Sequence, residues 1–155
     1  MNKKERYTAL NKQILPLLGE EKDTMANLAN VVAALKAEFG FFWVGFYRVK
    51  GEELVLGPFQ GPIACTRIAK DRGVCGKAWR DATTQLVPDV SNFPGHIACN
   101  PFSTSEIVIP IICDGEVKMV LDIDSDRLDD FDPVDQEGLE VLGRIIAAEY
   151  PQWAY

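Results

Sequence analysis

Three of the chain's four cysteines, Cys65, Cys75 and Cys99, share one stretch with its only histidine, His96. The stretch runs from GPIACTRIAKDRGVCG (residues 61–76) to HIACNPFSTSE (residues 96–106) and is broken repeatedly by Gly and Pro. An irregular connection this rich in thiols is where a rigid scaffold carries function. Cys65 and Cys75 are ten residues apart and Cys99 lies twenty-four further on. Ten extended residues can span more than ~30 Å, so the spacing alone does not bring the thiols together. A disulfide would need Cα atoms within roughly 4.4–6.8 Å, and buried, inert cysteines are the plain alternative. Cys113 ends a β-branched run beside a hairpin turn and reads as core filler. His96, three residues before Cys99, could lower that thiol's pKa or could simply hydrogen-bond backbone in a Pro-Gly turn.

Carboxylates form the second group. In VKMVLDIDS, Asp122 and Asp124 fall on one face of a strand, roughly 6–7 Å apart at about 3.3 Å per residue. Like charges that close are tolerated when a proton or a cation sits between them, or when the strand runs out into water. Glu106, at the start of the preceding strand, joins them only in one register. A two-residue turn at Asp114-Gly115 pairs Cys113 with Glu116 and turns Glu106 to the opposite face. A three-residue loop, or a bulge near Pro110, would shift the pairing by one and gather all three acids.

The elements that must position these groups are legible from periodicity. A helix is expected over 3–18, with Tyr7, Leu10, Ile14 and Leu17 on one face and Pro16 kinking or ending it. A second, capped at Asp23 or Thr24, carries Met25, Leu28, Ala29, Val32 and Leu35 as far as Gly40. FFWVGFYRV (residues 41–49) reads as a central strand covered on both faces, with Trp43, Gly45 and Tyr47 on one and Phe42, Val44 and Phe46 on the other. GEELVLGPF returns as its hairpin partner through Lys50-Gly51. VCGKAWRDA suggests a short helix, TTQLVPDV a strand, and SEIVIPIICDGEVKMVLDIDS two strands joined at Asp114-Gly115. Asp132-Pro133 opens a closing helix whose expected buried face is Val134, Val141, Leu142, Ile145 and Ala148. The order gives class α+β: a central antiparallel β-sheet of five to six strands with helices packed on its faces.

Composition narrows the function classes. The 155 residues are expected to form a single domain, spanning 1–155, with enough core to need no metal or disulfide staples. A net charge of -7, from 16 basic residues scattered among 23 acidic ones, argues against nucleic acid and anionic membrane as partners. MNKKERYTAL has no apolar core of a signal peptide, which places the protein in the cytoplasm, where cysteines rest reduced and suit redox work. There is no C-x2-C pair and only one His, so no metal site and no organic cofactor is expected.

In order and spacing, GPIACTRI, GVCG, VPDV, FPGHIAC, the SxSEIV pattern and the DID of LDIDS resemble the free methionine-(R)-sulfoxide reductases, enzymes of the GAF fold. The resemblance covers roughly Trp43 to Asp124, and the flanking helices fit the same fold. It implies that Cys99 is the nucleophile, that Cys65 closes a disulfide with it, and that Cys75 is a third family cysteine serving activity or as an alternative partner. It implies further that Glu106, Asp122 and Asp124 bind substrate and help protonate the sulfoxide oxygen, and that Trp43 and Tyr47 wall the methyl group. Asn100 stands where Asp is commoner in the family. Thioredoxin as reductant and a homodimer are also implied. Two rivals fit less of the pattern. A non-catalytic GAF module sensing a small ligand has no need of three loop cysteines, and a thiol redox switch has no use for the three acids.

Overall fold

In the computed structural model, which describes residues 1–97 and 99–155, the chain begins with helices α1 (Lys3–Glu20) and α2 (Thr24–Phe39). It continues through β1 (Trp43–Lys50), β2 (Glu53–Gln60), β3 (Arg67–Ala69) and α3 (Gly73–Asp81). It closes with β4 (Gln85–Val87), β5 (Ser105–Cys113), β6 (Glu116–Ser125) and α4 (Pro133–Glu149). The six strands form one sheet in the order β3-β2-β1-β6-β5-β4, every pairing antiparallel. The expected α+β class and the central place of β1 are both found.

Each face of the sheet carries its own apolar cluster. On one, Val44, Phe46, Ile107, Ile109, Ile111, Met119, Leu121 and Ile123 pack under α1, α2 and α4. On the other, Trp43, Tyr47, Val108 and Val120 pack with Val74, Cys75 and Ala78 of α3. The period of two along β1 therefore separates a structural face from a face that borders the loops.

Helix ends follow the local chemistry. Asn2 and Glu5 form a capping box at α1, Asp23 caps α2, and Asp132 with Asp135 caps α4 behind Pro133. The Asp135 carboxylate also accepts from the Tyr7 hydroxyl (2.7 Å) and pairs with Lys3 (2.9 Å), tying α4 to α1.

Four expectations need correction. Helix α1 runs through Pro16 to Glu20, because Pro16 and Lys12 lie on the solvent side, where the carbonyl deprived of its donor meets water. Leu18, not Leu17, is buried. The β1–β2 turn falls one residue later, at Gly51-Glu52, since Lys50 pairs with Glu53. In α4 the buried residues are Leu139, Leu142 and Ile146 beside Gly138 and Gly143, whereas Val134, Val141 and Ile145 are half-buried and Ala148 is exposed. The glycines set this rotation: a Cβ at Gly138 would lie 2.3 Å from Tyr7 Cγ, so the helix presents its bare side to α1. Strand β3, three residues long, has no periodic signature to announce it.

Candidate active site

The site begins with a register shift. Cys113 pairs with Glu116 and Ile112 with Val117, but Ile111 pairs with Met119, leaving Lys118 as an extra residue on β6. That bulge is the irregularity a three-acid grouping requires. Beyond it Glu106 lies opposite Asp124 and Val108 opposite Asp122. On the other side of β6, Trp43 lies opposite Asp124, Gly45 opposite Asp122 and Tyr47 opposite Val120. Cross-strand partners share a face, so the acids and the β1 aromatics point the same way, toward α3 and the cysteine loops.

Glu106 and Asp122 are removed from water, and Asp124 beside them is half-buried. Burial, with Asp122 and Asp124 alongside, pushes the Glu106 carboxyl well above its usual range. Burial and Asp122 do the same for Asp124. Asp122 is raised by burial too, but hydrogen bonding within reach of Glu106 and Cys75 pulls it back down. The Cys75 thiol, buried against the same carboxyls, is pushed well up and stays protonated. Asp135 provides the contrast. It is only 2% exposed but has its carboxylate fully engaged, whereas Asp122, 6% exposed, keeps a buried Oδ1 with no hydrogen-bond partner among the described residues. A structural carboxylate is satisfied from within; one left short is waiting for a donor from outside.

Sulfur lies over this floor. Cys65 and Cys99 are joined in a disulfide with Cα atoms 5.4 Å apart, closing a loop across thirty-four residues of sequence. Cys75 and Cys113 are free and buried, and Cys113 sits against the Ala147 carbonyl of α4, as filler should. Below the disulfide is a cavity of about 50 Å³ lined by Trp43, Tyr47, Cys75, Glu106, Asp122 and Asp124 among others. Every residue singled out for chemistry in the sequence borders it, except Cys65, which reaches it through Cys99. His96 also lines it, and burial lowers its pKa.

The aromatic wall is held by contacts on both sides. Trp43 stacks on Phe59 (centroids 5.3 Å) and on Tyr47 (6.0 Å), lying flat across Gly45. A Cβ at Gly45 would lie 2.4 Å from Phe59 Cβ and 2.7 Å from Trp43 Cη2, so only glycine leaves room for the indole. Cys75, Glu106 and Asp122 bring one sulfur and two carboxylate oxygens within 4.8 Å of one another. Such a set could grip a cation, and an ammonium group meets its demand for charge and for donors as well as a metal ion would.

The profile of the GAF domain family matches residues 20–148. The chain is 56% identical over 146 residues to GAF domain-containing protein A of Dictyostelium discoideum, covering 94% of this chain and 92% of that one. It is 45% identical over 143 residues to the free methionine-R-sulfoxide reductase of Escherichia coli, covering 92% and 87%. The solved structure of the free methionine-R-sulfoxide reductase from Neisseria meningitidis in complex with its substrate superposes with a TM-score of 0.95 at 47% identity, covering 98% and 92%. The chain belongs to the free methionine-R-sulfoxide reductase family.

In this family member the motifs first picked out for their thiols and acids all converge on one cavity, and other residues join them there. Arg72, Gly73, Ser103 and Asn100 line it as well. Arg72 and Gly73 lead into α3, whose first turn has no side-chain cap among the described residues; the first N–H groups of a helix have no partner within it. The sequence hid this: Lys70-Asp71-Arg72 reads as a solvated charge cluster, and nothing in it points to a cavity.

Proposed function

We propose that the protein reduces free L-methionine-(R)-sulfoxide to L-methionine, with Cys99 as nucleophile. The observation that carries this reading is that Cys99 of the Cys65–Cys99 disulfide lines one cavity with Glu106, Asp122, Asp124 and Trp43. A sulfoxide oxygen leaves poorly unless protonated, and Glu106 and Asp124 are carboxyls whose hold on the proton burial and repulsion strengthen. The Cys99 thiolate attacks the sulfoxide sulfur while one of these acids protonates the oxygen. Methionine leaves, and Cys99 is left as the sulfenic acid. Cys65 then attacks the Cys99 sulfur; an S–S bond forms, the S–O bond breaks, and water departs. A dithiol protein of the thioredoxin type exchanges with the disulfide, restoring both thiols and becoming oxidised itself.

Substrate selection follows from the same groups. Asp122, the least raised of the three acids and the one with an unpartnered oxygen, receives the ammonium. The uncapped first turn of α3 receives the carboxylate. Trp43 and Tyr47 take the methyl group and so distinguish one sulfur epimer from the other. A peptide-bound residue lacks both charges and is excluded. Cys65 is the resolving partner; the buried Cys75, its thiol held protonated beside the carboxyls, supports the acid cluster. The 155 residues act as one catalytic domain in the cytoplasm, and two copies pair as a homodimer.

The test follows NADPH consumption with thioredoxin and its reductase on free R sulfoxide, free S sulfoxide and a peptide-bound sulfoxide. Turnover with the free R form alone is expected. Equal rates on all three, or none on any, would refute the reading.

A further inference from the structure

The polar ends of the two aromatic wall residues are bonded to the loop that follows β2. Trp43 Nε1 donates to the Pro62 carbonyl (3.0 Å), and the Tyr47 hydroxyl donates to the carbonyl of Cys65 itself (2.8 Å). A third bond, from the Leu56 amide to the Thr66 carbonyl (3.0 Å), secures the far side of the same loop. Gly61, where the loop leaves β2, has φ +138, and a Cβ there would lie 2.7 Å from Trp43 Cδ1. The loop that carries Cys65 is therefore laid directly on the indole and pinned at both ends of a four-residue span. Ala64 and Cys65 also pack against the apolar cluster on this face, and the disulfide adds a covalent attachment that exists only after oxidation.

We propose that Tyr47 is a positioning residue for the resolving step: its hydroxyl holds the Cys65 loop so that the thiol meets Cys99. This rests on the reading of Cys65 as the resolving partner and adds a role that an aromatic wall does not require. Tyr47 is suited to it because the hydroxyl is buried, and burial together with Asp122 and Cys75 raises its pKa, keeping it a donor at any working pH. The two thiols are thirty-four residues apart in sequence, so their encounter depends on how narrowly the loop is confined.

Tyr47→Phe keeps the ring and its stacking and removes the one donor. Reduced protein is mixed with one equivalent of free methionine-(R)-sulfoxide and quenched at intervals, reading methionine release against loss of two thiols per chain. In the variant, thiol loss should lag methionine release about 3- to 10-fold more than in the parent, the effect of losing one hydrogen bond, and the Cys99 sulfenic acid should be trapped by dimedone. A methionine release that slows with thiol loss keeping pace would assign Tyr47 to the wall alone and overturn the proposal. A second arm needs no turnover: the Cys65–Cys99 pair is equilibrated in glutathione buffers of graded ratio. Its effective molarity should fall by the same 3- to 10-fold factor in Tyr47→Phe, and an unchanged value would refute the positioning role. If the parent released no methionine, the proposed reaction would fail, and the glutathione arm would still decide the role of Tyr47.

Discussion

Glu106 stands opposite Asp124 across the β5–β6 pair because Lys118 is one residue too many for a straight hairpin. Without the shift Glu106 would face Leu121 and Ile123 in the apolar cluster under the helices. The bulge thus decides whether two acids or three share the functional face.

Removing the proton carried by that third acid should disable the first chemical step. Glu106→Gln is expected to lower kcat/KM for the free R sulfoxide by about 10²- to 10⁴-fold, the usual scale of general acid catalysis. Steady-state assays with dithiothreitol as reductant would measure it without involving a protein partner. A loss of less than threefold would remove Glu106 from the reaction.

The same substitution should make the fold tougher at high pH. Glu106 and Asp124 keep their protons in the folded chain where the unfolded chain, titrating near about 4, has already released them. Between that range and their raised values the folded state binds more protons, so stability falls as pH rises. Glu106→Gln removes part of this slope. Thermal melts from pH 5 to pH 9 should show a shallower decline for the variant than for the parent, and parallel curves would contradict the assignment.

Cysteine substitutions separate the half-reactions. Cys99→Ser should abolish methionine formation. Cys65→Ser should release about one methionine per chain and then stall as the sulfenic acid, a count readable by mass spectrometry of a quenched single turnover. Sustained turnover by Cys65→Ser with thioredoxin would point to another resolving thiol.

Two glycines offer a contrast between the site and the scaffold. Gly45→Ala places a methyl against Phe59 and Trp43 and should tilt the indole, raising KM about tenfold and shifting the tryptophan emission. Gly138→Ala crowds Tyr7 on the far side of the sheet. It should cost about 1–3 kcal/mol of stability while KM, measured well below the melting temperature, stays put.

Periodicity disclosed most of this architecture and little of its register. The alternation Trp43-Gly45-Tyr47 against Val44-Phe46 identifies the two faces of β1, because side chains of a covered strand must alternate. Asp23, Gly40 and Asp132-Pro133 mark helix ends through local capping chemistry. The Lys118 bulge carries no local signal; it answers to the burial of residues at the distant ends of both strands. Likewise the face of α4 is set by Gly138 and Gly143 meeting Tyr7 and Ile109, contacts that hydrophobicity does not register. The pairing of Cys65 with Cys99 was suggested by family likeness, since spacing says nothing of two loops that meet only in three dimensions.

With Cys65 bonded to Cys99, the space beneath is about 50 Å³, far below the ~300 Å³ at which ligand pockets begin. In the proposed cycle so small a space beside the disulfide leaves sulfoxide and reductant to take turns on the molecule. Initial rates against sulfoxide at several thioredoxin concentrations should then give parallel double-reciprocal lines, with no inhibition by excess sulfoxide. In a cell this would leave the rate of repair governed by the supply of reducing equivalents whenever oxidised methionine is plentiful.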